Sequence, residues 1–375
     1  MIAGVVLAGT IVVGSGAIGA ITGLRRWQFS PSPHVAEGYT LAGVSCASAT
    51  SCAAVGALAR AVDFEALIET WDGASWTVTP NAFVSPTLYL LNGVSCPDPT
   101  TCVAVGKFLT PSGVEHTLVE TRTGGEWSVT PSPNPDVSQG LNGVSCASAT
   151  DCVAVGTSTD GERERALIEE WNGTDWSVVP TPRPRHTPAM ALSGVSCVTA
   201  TSCVAAGTSA SDLGSQPLIE RWNGTKWSLA TVPHPDGGVN RLSGVSCATG
   251  NQCVAVGSSA GLNGPLIEMW DGTSWSVAER PNPGTGGNAL ADVSCPSRTR
   301  CVATGSFNSD KRKQLPRNLV EAWNGTAWTV VPSVGHLGQP DSLAGVSCAS
   351  TATCMAVGVT YAAPDQNAFI LTGRP

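Results

Sequence analysis

The sequence predicts an all-β chain: a seven-bladed β-propeller of four-stranded blades, its ring closed by an N-terminal strand that completes the last blade. Three observations carry that expectation. A Cys-x5-Cys pair recurs along the chain, its first member at Cys46, Cys96, Cys146, Cys197, Cys247, Cys295 and Cys348, and a fixed period of about 50 residues marks a repeat architecture. Each period holds four short apolar runs separated by turn residues, which is the strand content of one blade. The last period stops after three runs, at Thr372-Gly-Arg-Pro375, and the missing fourth stands at the other end of the chain as Trp27-Gln-Phe-Ser-Pro31.

The stretch 192–235 shows one repeat in full. Strand a reads Leu-Ser-Gly-Val-Ser-Cys, strand b Cys-Val-Ala-Ala-Gly, strand c Leu-Ile-Glu-Arg-Trp, and strand d Trp-Ser followed by a Pro-bearing tail. Between c and d lies Asn-Gly or Asp-Gly in most copies, as at Asn172-Gly173 and Asp271-Gly272. This dipeptide suits a two-residue hairpin turn because it tolerates positive φ. The second copy has Gly124-Gly125 there instead. Pro follows the strand-d Trp at Pro80, Pro131, Pro180, Pro233 and Pro281. Pro cannot donate to a ladder, so strand d is the outer edge and Gly-rich strand a lines the central channel.

Composition agrees. The chain has 375 residues, 42 Gly, 26 Pro and only 13% charged residues, which favours short strands and tight turns. The repeats fill 25–375, which reads as one domain and is expected to be a monomer. A net charge of −8 excludes the basic footprint of a nucleic-acid binder. All 14 Cys fall into the seven pairs. Such pairing points to disulfides and an oxidising compartment, joining Cys46 to Cys52, Cys96 to Cys102, Cys146 to Cys152, Cys197 to Cys203, Cys247 to Cys253, Cys295 to Cys301 and Cys348 to Cys354. Zinc ligation needs closer spacing and further ligands, so no metal is expected, nor any cofactor.

Residues 1–24 are uncharged and end at Arg25-Arg26. They are expected to form an apolar helix, either a signal peptide or a transmembrane anchor. The two Arg would favour keeping the domain in the cytoplasm, whereas the Cys pairs argue for export, and export is the expectation. Gly14-Ser-Gly-Ala-Ile-Gly19 matches the dinucleotide-binding glycine pattern, but Trp27-Gln-Phe-Ser-Pro follows with no room for a βαβ unit.

Repetition also decides the remaining motifs. Glu69, Glu120, Glu169, Glu220, Glu268 and Glu321 occupy one strand-c position. Catalysis needs a carboxylate once or twice, so equivalent copies imply a structural hydrogen bond to a neighbouring strand or blade. The Trp pairs, such as Trp71/Trp76 and Trp222/Trp227, imply packing between blades in preference to sugar platforms. The sequons at Asn172, Asn223 and Asn324 coincide with the c–d turn, which accounts for them. Gly257-Ser-Ser-Ala-Gly261 resembles a nucleophile elbow but ends a strand and enters a loop, without the helix that motif requires.

Because strands alternate in direction, a–b and c–d links share one face, nearly identical in every repeat, and b–c and d–a links share the other. The second face is irregular, and binding residues concentrate on variable loops held by a rigid scaffold. All five His are placed there: His34, His186, His234 and His336 on d–a links and His116 on a b–c link. Arg183, Arg185 and Lys311-Arg312-Lys313 join them, with Asp136 and Asp236 close by. His34, Arg183, Arg185, His186, His234, Asp236 and His336 are the candidate binding residues.

The repeat, Leu-x-Gly-Val-Ser-Cys with Cys-Val-Ala-Val-Gly and Trp-Asn-Gly-Thr-x-Trp, resembles repeats of secreted bacterial β-propeller proteins, particularly actinobacterial ones, over about 350 residues. More distantly it resembles kelch and sialidase-type propellers, although Asp271-Gly272 are adjacent where the sialidase Asp box separates them, and no kelch Gly-Gly doublet recurs. The resembled proteins mostly lack assigned functions, and fold analogy alone does not choose among functions; the irregular face favours an extracellular, non-catalytic module holding a glycan or protein there. The alternatives are a glycan-active hydrolase, which needs two carboxylates roughly 5–10 Å apart in one pocket, and a cell-surface structural part.

Overall fold

The computed structural model describes residues 27–375 apart from 34–37, 60–63, 84–87, 183–186, 212–213, 236–237, 285–286, 309–314, 337 and 362–365. It is a ring of seven four-stranded antiparallel sheets. Blade 4 is representative, with strand a at Met190–Thr199, b at Ser202–Ser211, c at Gly214–Trp222 and d at Trp227–Leu229. Blade 7 has only three strands at the C-terminal end of the chain, Asp341–Ser350, Thr353–Tyr361 and Gln366–Gly373. Its strand d is Gln28–Ser30, which pairs antiparallel with the last strand through Phe29 opposite Leu371. Trp27 is fully buried at this closure and donates its backbone N–H to Pro332 O at the end of blade 6.

Each blade lies between two others, so its central strands are apolar on both faces. In blade 4, Cys203 and Ala205 pack toward blade 3 with Val155 and Ile168, while Val204 and Ala206 pack toward blade 5 with Leu242 and Leu266. The hydrophobic core is therefore a set of inter-blade seams. The strand-d Trp belongs to them: Trp76 packs with Val357 and Ile370 of blade 7. Its partner Trp71 sits 5.7 Å from it, ring centre to ring centre.

Strand a carries a β-bulge between its Leu and its Gly, for example between Leu192 and Gly194. The extra residue leaves the ladder and turns to the axis, where the bulge residues of all seven blades line the channel. The bulge brings Ala191 O so near Gly207 of strand b that a Cβ there would stand 2.0 Å from it, so glycine is required at that place. The Val-Ser-Cys motif then joins blade to blade. Ser45 Oγ accepts from Cys96 N at 2.9 Å, Ser145 from Cys197 N at 2.9 Å, and Ser347 of blade 7 from Cys46 N of blade 1 at 2.9 Å. The same bond recurs at every other seam, so the circuit is closed.

Each Cys pair forms a disulfide across the a–b hairpin, as in Cys46–Cys52, with Cα atoms 3.9–4.1 Å apart throughout. In blade 2 the c–d link is the expected two-residue turn, Thr123 pairing with Glu126 across Gly124 and Gly125, both at positive φ; in the Asn-Gly and Asp-Gly blades it departs from that turn. Trp171 pairs with Trp176, leaving four residues between, and Asn172 Oδ1 accepts from Thr174 N and Asp175 N, both at 2.9 Å. Gly173 alone takes positive φ, +95°. Asn is used for its side-chain oxygen and Gly for its backbone, an Asx-type turn.

The expected transmembrane segment is corrected: among the described residues, no helix is long and apolar enough to cross a membrane. Residues 1–24, which carried that expectation and that of an N-terminal helix, lie outside the described residues. His116 is also misplaced by sequence, since it lies within strand c of blade 2, Glu115–Thr123, and its ring meets Phe108 edge-on.

Candidate functional site

The irregular face contains a cleft of about 310 Å³ between blades 2 and 3. Strand b of blade 2 ends in it with Lys107, and strand c begins there with Glu115, the two joined Nζ to Oε1 at 2.5 Å. Blade 3 supplies Ser138, Gln139 and Gly140 from strand a, Thr157 to Thr159 from strand b and Glu164 from strand c. Asn142 completes it toward the channel. Gly140 permits the close seam, because a Cβ there would stand 3.2 Å from Lys107 Cδ.

Local hydrogen bonds set the cleft's edge. Gln139, almost fully buried, accepts from Asp136 N at 2.9 Å and donates to Asp136 O at 3.2 Å, fixing the d–a link. Arg165 pairs with Asp160 of the b–c link and stands 3.8 Å from Asp136. Asp160 is held below its ordinary pKa, first by accepting from the backbone N–H of Arg163 and then of Glu162. The rim is thus charged, with both signs, and held in place from two strands and two links.

The cleft meets the mouth of the central channel, a cavity of about 210 Å³. Asn92 and Asn142 turn their amides to the carbonyls of Leu141 and Leu192 in the next blades, each at 2.8 Å. At the position held by Gly in other blades, blade 6 has Asp292. Its carboxylate accepts from Val293 N at 2.8 Å and from Val346 N of blade 7 at 2.9 Å. Burial raises its pKa to about 6, against the lowering effect of these two bonds. The channel thus has a carboxyl on one wall only. Among the described residues no cluster of three metal-ligating side chains occurs.

The sequence-selected residues divide into two groups. His34, Arg183, Arg185, His186 and Asp236 lie outside the described residues, as do Lys311, Arg312 and Lys313. His234 is exposed on the link between blades 4 and 5. His336 lies in the link between blades 6 and 7, where its backbone N–H and its Nδ1 meet the carboxylate of buried Asp341 at 2.6 and 3.1 Å. Its ring also packs on Phe29 and Phe369, so it ties that link to the closing strand. Sequence reasoning passed over Lys107, Glu115 and Glu164. The available signal was a break in the repeat, since the residue after the strand-b Gly is uncharged in the other copies, as at Ala57, Thr157, Thr208, Ser258 and Val359, and is Lys only at 107.

The recurring Glu residues are all fully buried in the seams. Glu69 accepts from Ser32 Oγ at 2.9 Å, Glu120 from Ala82 N at 2.8 Å, and Glu169 from Ser132 Oγ at 2.5 Å. In each case the donor lies on the link leaving the preceding blade. Among the described residues, Glu220, Glu268 and Glu321 have no hydrogen-bond partner for either oxygen. Burial raises all six carboxyls, Glu69 and Glu169 to about 7 and the last three to about 8, with Arg280 opposing the rise at Glu321.

Comparison with solved structures returns the same architecture. YCF48 with a bound D1 peptide matches at TM-score 0.58 and 14% identity, covering 93% of this chain and 95% of that one. YCF48 from Cyanidioschyzon merolae matches at TM-score 0.58 and 14% identity, over 93% and 99%. Sqt1 from Chaetomium thermophilum matches at TM-score 0.50 and 10% identity, over 91% and 97%. No protein-family model and no curated protein matches the sequence. At these identities the matches carry the propeller fold, and they carry no kelch, sialidase or actinobacterial kinship. The class is a disulfide-bonded seven-bladed β-propeller.

Proposed function

We propose that this propeller is a non-catalytic binding module of an oxidising compartment outside the cytoplasm, holding a glycan or protein ligand on its irregular loop face. The observation that carries the reading is the mixed-charge cleft between blades 2 and 3 at the channel mouth. Lys107 differs from its counterparts in every other repeat, while the frame beneath it is the same. A rigid ring with one monotonous face and one individual face is how a scaffold separates stability from recognition. The exposed candidates His234 and, outside the described residues, Arg183, Arg185 and His186 belong to links of the same face. The carboxyls with raised pKa support binding over hydrolysis, because six are spread around the seams and Asp292 is engaged by two backbone N–H groups. YCF48, solved with a D1 peptide, is an instance of this fold holding a peptide. Seven disulfides support the oxidising location.

The test is a binding screen of the purified, oxidised protein against glycan and peptide arrays, repeated with Lys107→Ala/Glu164→Ala. Saturable binding weakened at least about tenfold by the double substitution is expected, the loss of one charge-assisted contact corresponding to about 1.4 kcal/mol or more. An empty screen, or binding indifferent to the substitution, contradicts the proposal.

A further inference from the structure

A second cleft, of about 640 Å³, opens between blades 4 and 5 beside their c–d turns, at the outer rim and on a different seam from the cleft between blades 2 and 3. Blade 4 contributes Arg221, Trp222, Ser228 and Leu229 and its following link Thr231 to Pro233; blade 5 contributes Trp270, Thr273, Ser274 and Trp275. Its volume lies in the range of small-molecule sites.

Arg221 sets this seam apart. Its guanidinium carbon stands 4.1 Å from the centre of the Trp270 ring. Among the described residues no hydrogen bond or ion pair engages its side chain. Two other arginines at comparable seams are spent: Arg122 donates to Pro99 O at 3.0 Å, and Arg280 donates to Pro265 O. Corresponding strand-c positions elsewhere hold Thr70, Thr121, Glu170, Met269, Ala322 and Thr372, so blade 4 alone places a cation at this strand-c position. Stacking on an indole immobilises a guanidinium while leaving its edge donors open. Trp270, like Trp323 one blade on, also differs from Trp71 and Trp222 at its indole N–H. Trp71 and Trp222 donate their indole N–H to Ala49 O and Ala200 O at 3.1 and 3.0 Å, whereas the Trp270 N–H is buried without an acceptor.

No acidic residue lines the cleft. Asp271 is near in sequence, but one of its oxygens accepts from Thr273 N, Ser274 N and Thr273 Oγ1 within its own turn. Glu268, on the same face as Trp270, is fully buried and raised to about 8 by that burial, so it is mostly neutral at pH 7 and leaves the positive charge uncompensated. The cleft therefore presents a fixed planar cation, the hydroxyls of Thr231 and Ser274, the acceptor lone pairs of Ser228 and Thr273, whose protons go to Arg221 O and Asp271, and an apolar wall of Trp222, Leu229 and Pro233.

We propose that this rim cleft is a binding site for a carboxylate-bearing saccharide of the uronic-acid type, independent of the loop-face site. Arg221 takes the carboxylate as a bidentate pair, the hydroxyls meet the ring oxygens, and Trp222 with Leu229 covers the C–H face of the sugar. A sugar fits better than an acidic peptide added along the blade edge, because the strand offered there, Trp227–Leu229, has three residues and is followed by Pro233, too short and interrupted for a ladder.

The test uses oligogalacturonate and its fully methyl-esterified counterpart, titrated calorimetrically into the oxidised protein, with Arg221→Ala, Arg221→Lys and the loop-face Lys107→Ala/Glu164→Ala variant alongside. Thermal melting confirms that each variant is folded. Saturable binding of the acid is expected, weakened at least tenfold by esterification and by Arg221→Ala, largely lost in Arg221→Lys because the fork is lost, and unchanged in the loop-face variant. Absence of binding, equal binding of acid and ester, indifference to Arg221→Ala, or tighter binding of an acidic peptide than of the saccharide would overturn the proposal.

Discussion

A carboxyl group held in an apolar seam favours its proton, and the buried glutamates turn this into a pH dependence. Their folded pKa values lie above the ordinary 4.5, at about 7 for Glu69 and Glu169 and about 8 for Glu220, Glu268 and Glu321. In the unfolded chain they lose protons near the ordinary value, so across this window the native state binds more protons than the unfolded one and stability falls as pH rises. The contribution is whole below about pH 4.5, declines through about pH 8 and is flat above. A melting series from pH 5 to pH 9 is expected to show that decline, and Glu268→Gln to flatten it, melting at least about 2 °C higher than the parent at pH 9. A parent whose melting point rises over this range would contradict the assignment. The recurrence of these residues was legible in the sequence, and so was the hydrogen bond across the seam for Glu69, Glu120 and Glu169, but not the lack of one among the described residues at Glu220, Glu268 and Glu321. Their partners were not: Ser32 and Ser132 lie 37 residues before the Glu they serve, and the place five residues beyond the strand-d Trp is Ser in those links but Val232 and Arg280 in others. Arg221 was visible as an exception among strand-c residues, but its stacking on Trp270 belongs to the next repeat and needs the ring.

At the scale of the element, the hairpin carrying each disulfide was readable because Cys-x5-Cys leaves the length of one a–b turn, and the pairs do face each other in register. The c–d turn was misread because Asn-Gly is ambiguous between a two-residue turn using positive φ at both places and a longer one capped by the Asn side chain; the flanking Trp pairing selects the second. Each disulfide closes a short loop, so its removal costs about 2 kcal/mol by the chain-entropy argument. Cys197→Ser/Cys203→Ser is expected to lower unfolding free energy by about that amount in denaturant titrations, with near-native circular dichroism. A loss of fold on removing this one pair would mean that the hairpin depends on its disulfide and not on the Ser–Cys and bulge bonds around it.

For the whole molecule, closure rests on an N-terminal strand of three residues pairing with the C-terminal sheet, and on Trp27 filling the place that a strand-c Trp occupies in other blades, where Gly373 now stands. The sequence showed this through a missing strand at one end and a surplus one at the other. Trp27→Ala is expected to cost about 3–5 kcal/mol, the usual loss for a buried aromatic truncated to Ala, and to raise exchange of the amides of Gln366–Gly373 more than those of blade 4. Uniform loosening of all blades would contradict a closure confined to this seam. The two faces of the ring were also legible, one repeated and one individual, but the cleft on the second was not, because Lys107, Gly140 and Glu164 come from two blades and only the closed ring sets them together. The proposed binding on that face is tested most directly by hydrogen exchange with and without whichever ligand the binding screen returns. Protection concentrated at Lys107 to Glu115, Ser138 to Asn142 and Thr157 to Glu164 is the predicted result. Protection confined to the disulfide hairpins and c–d turns of the opposite face would contradict it.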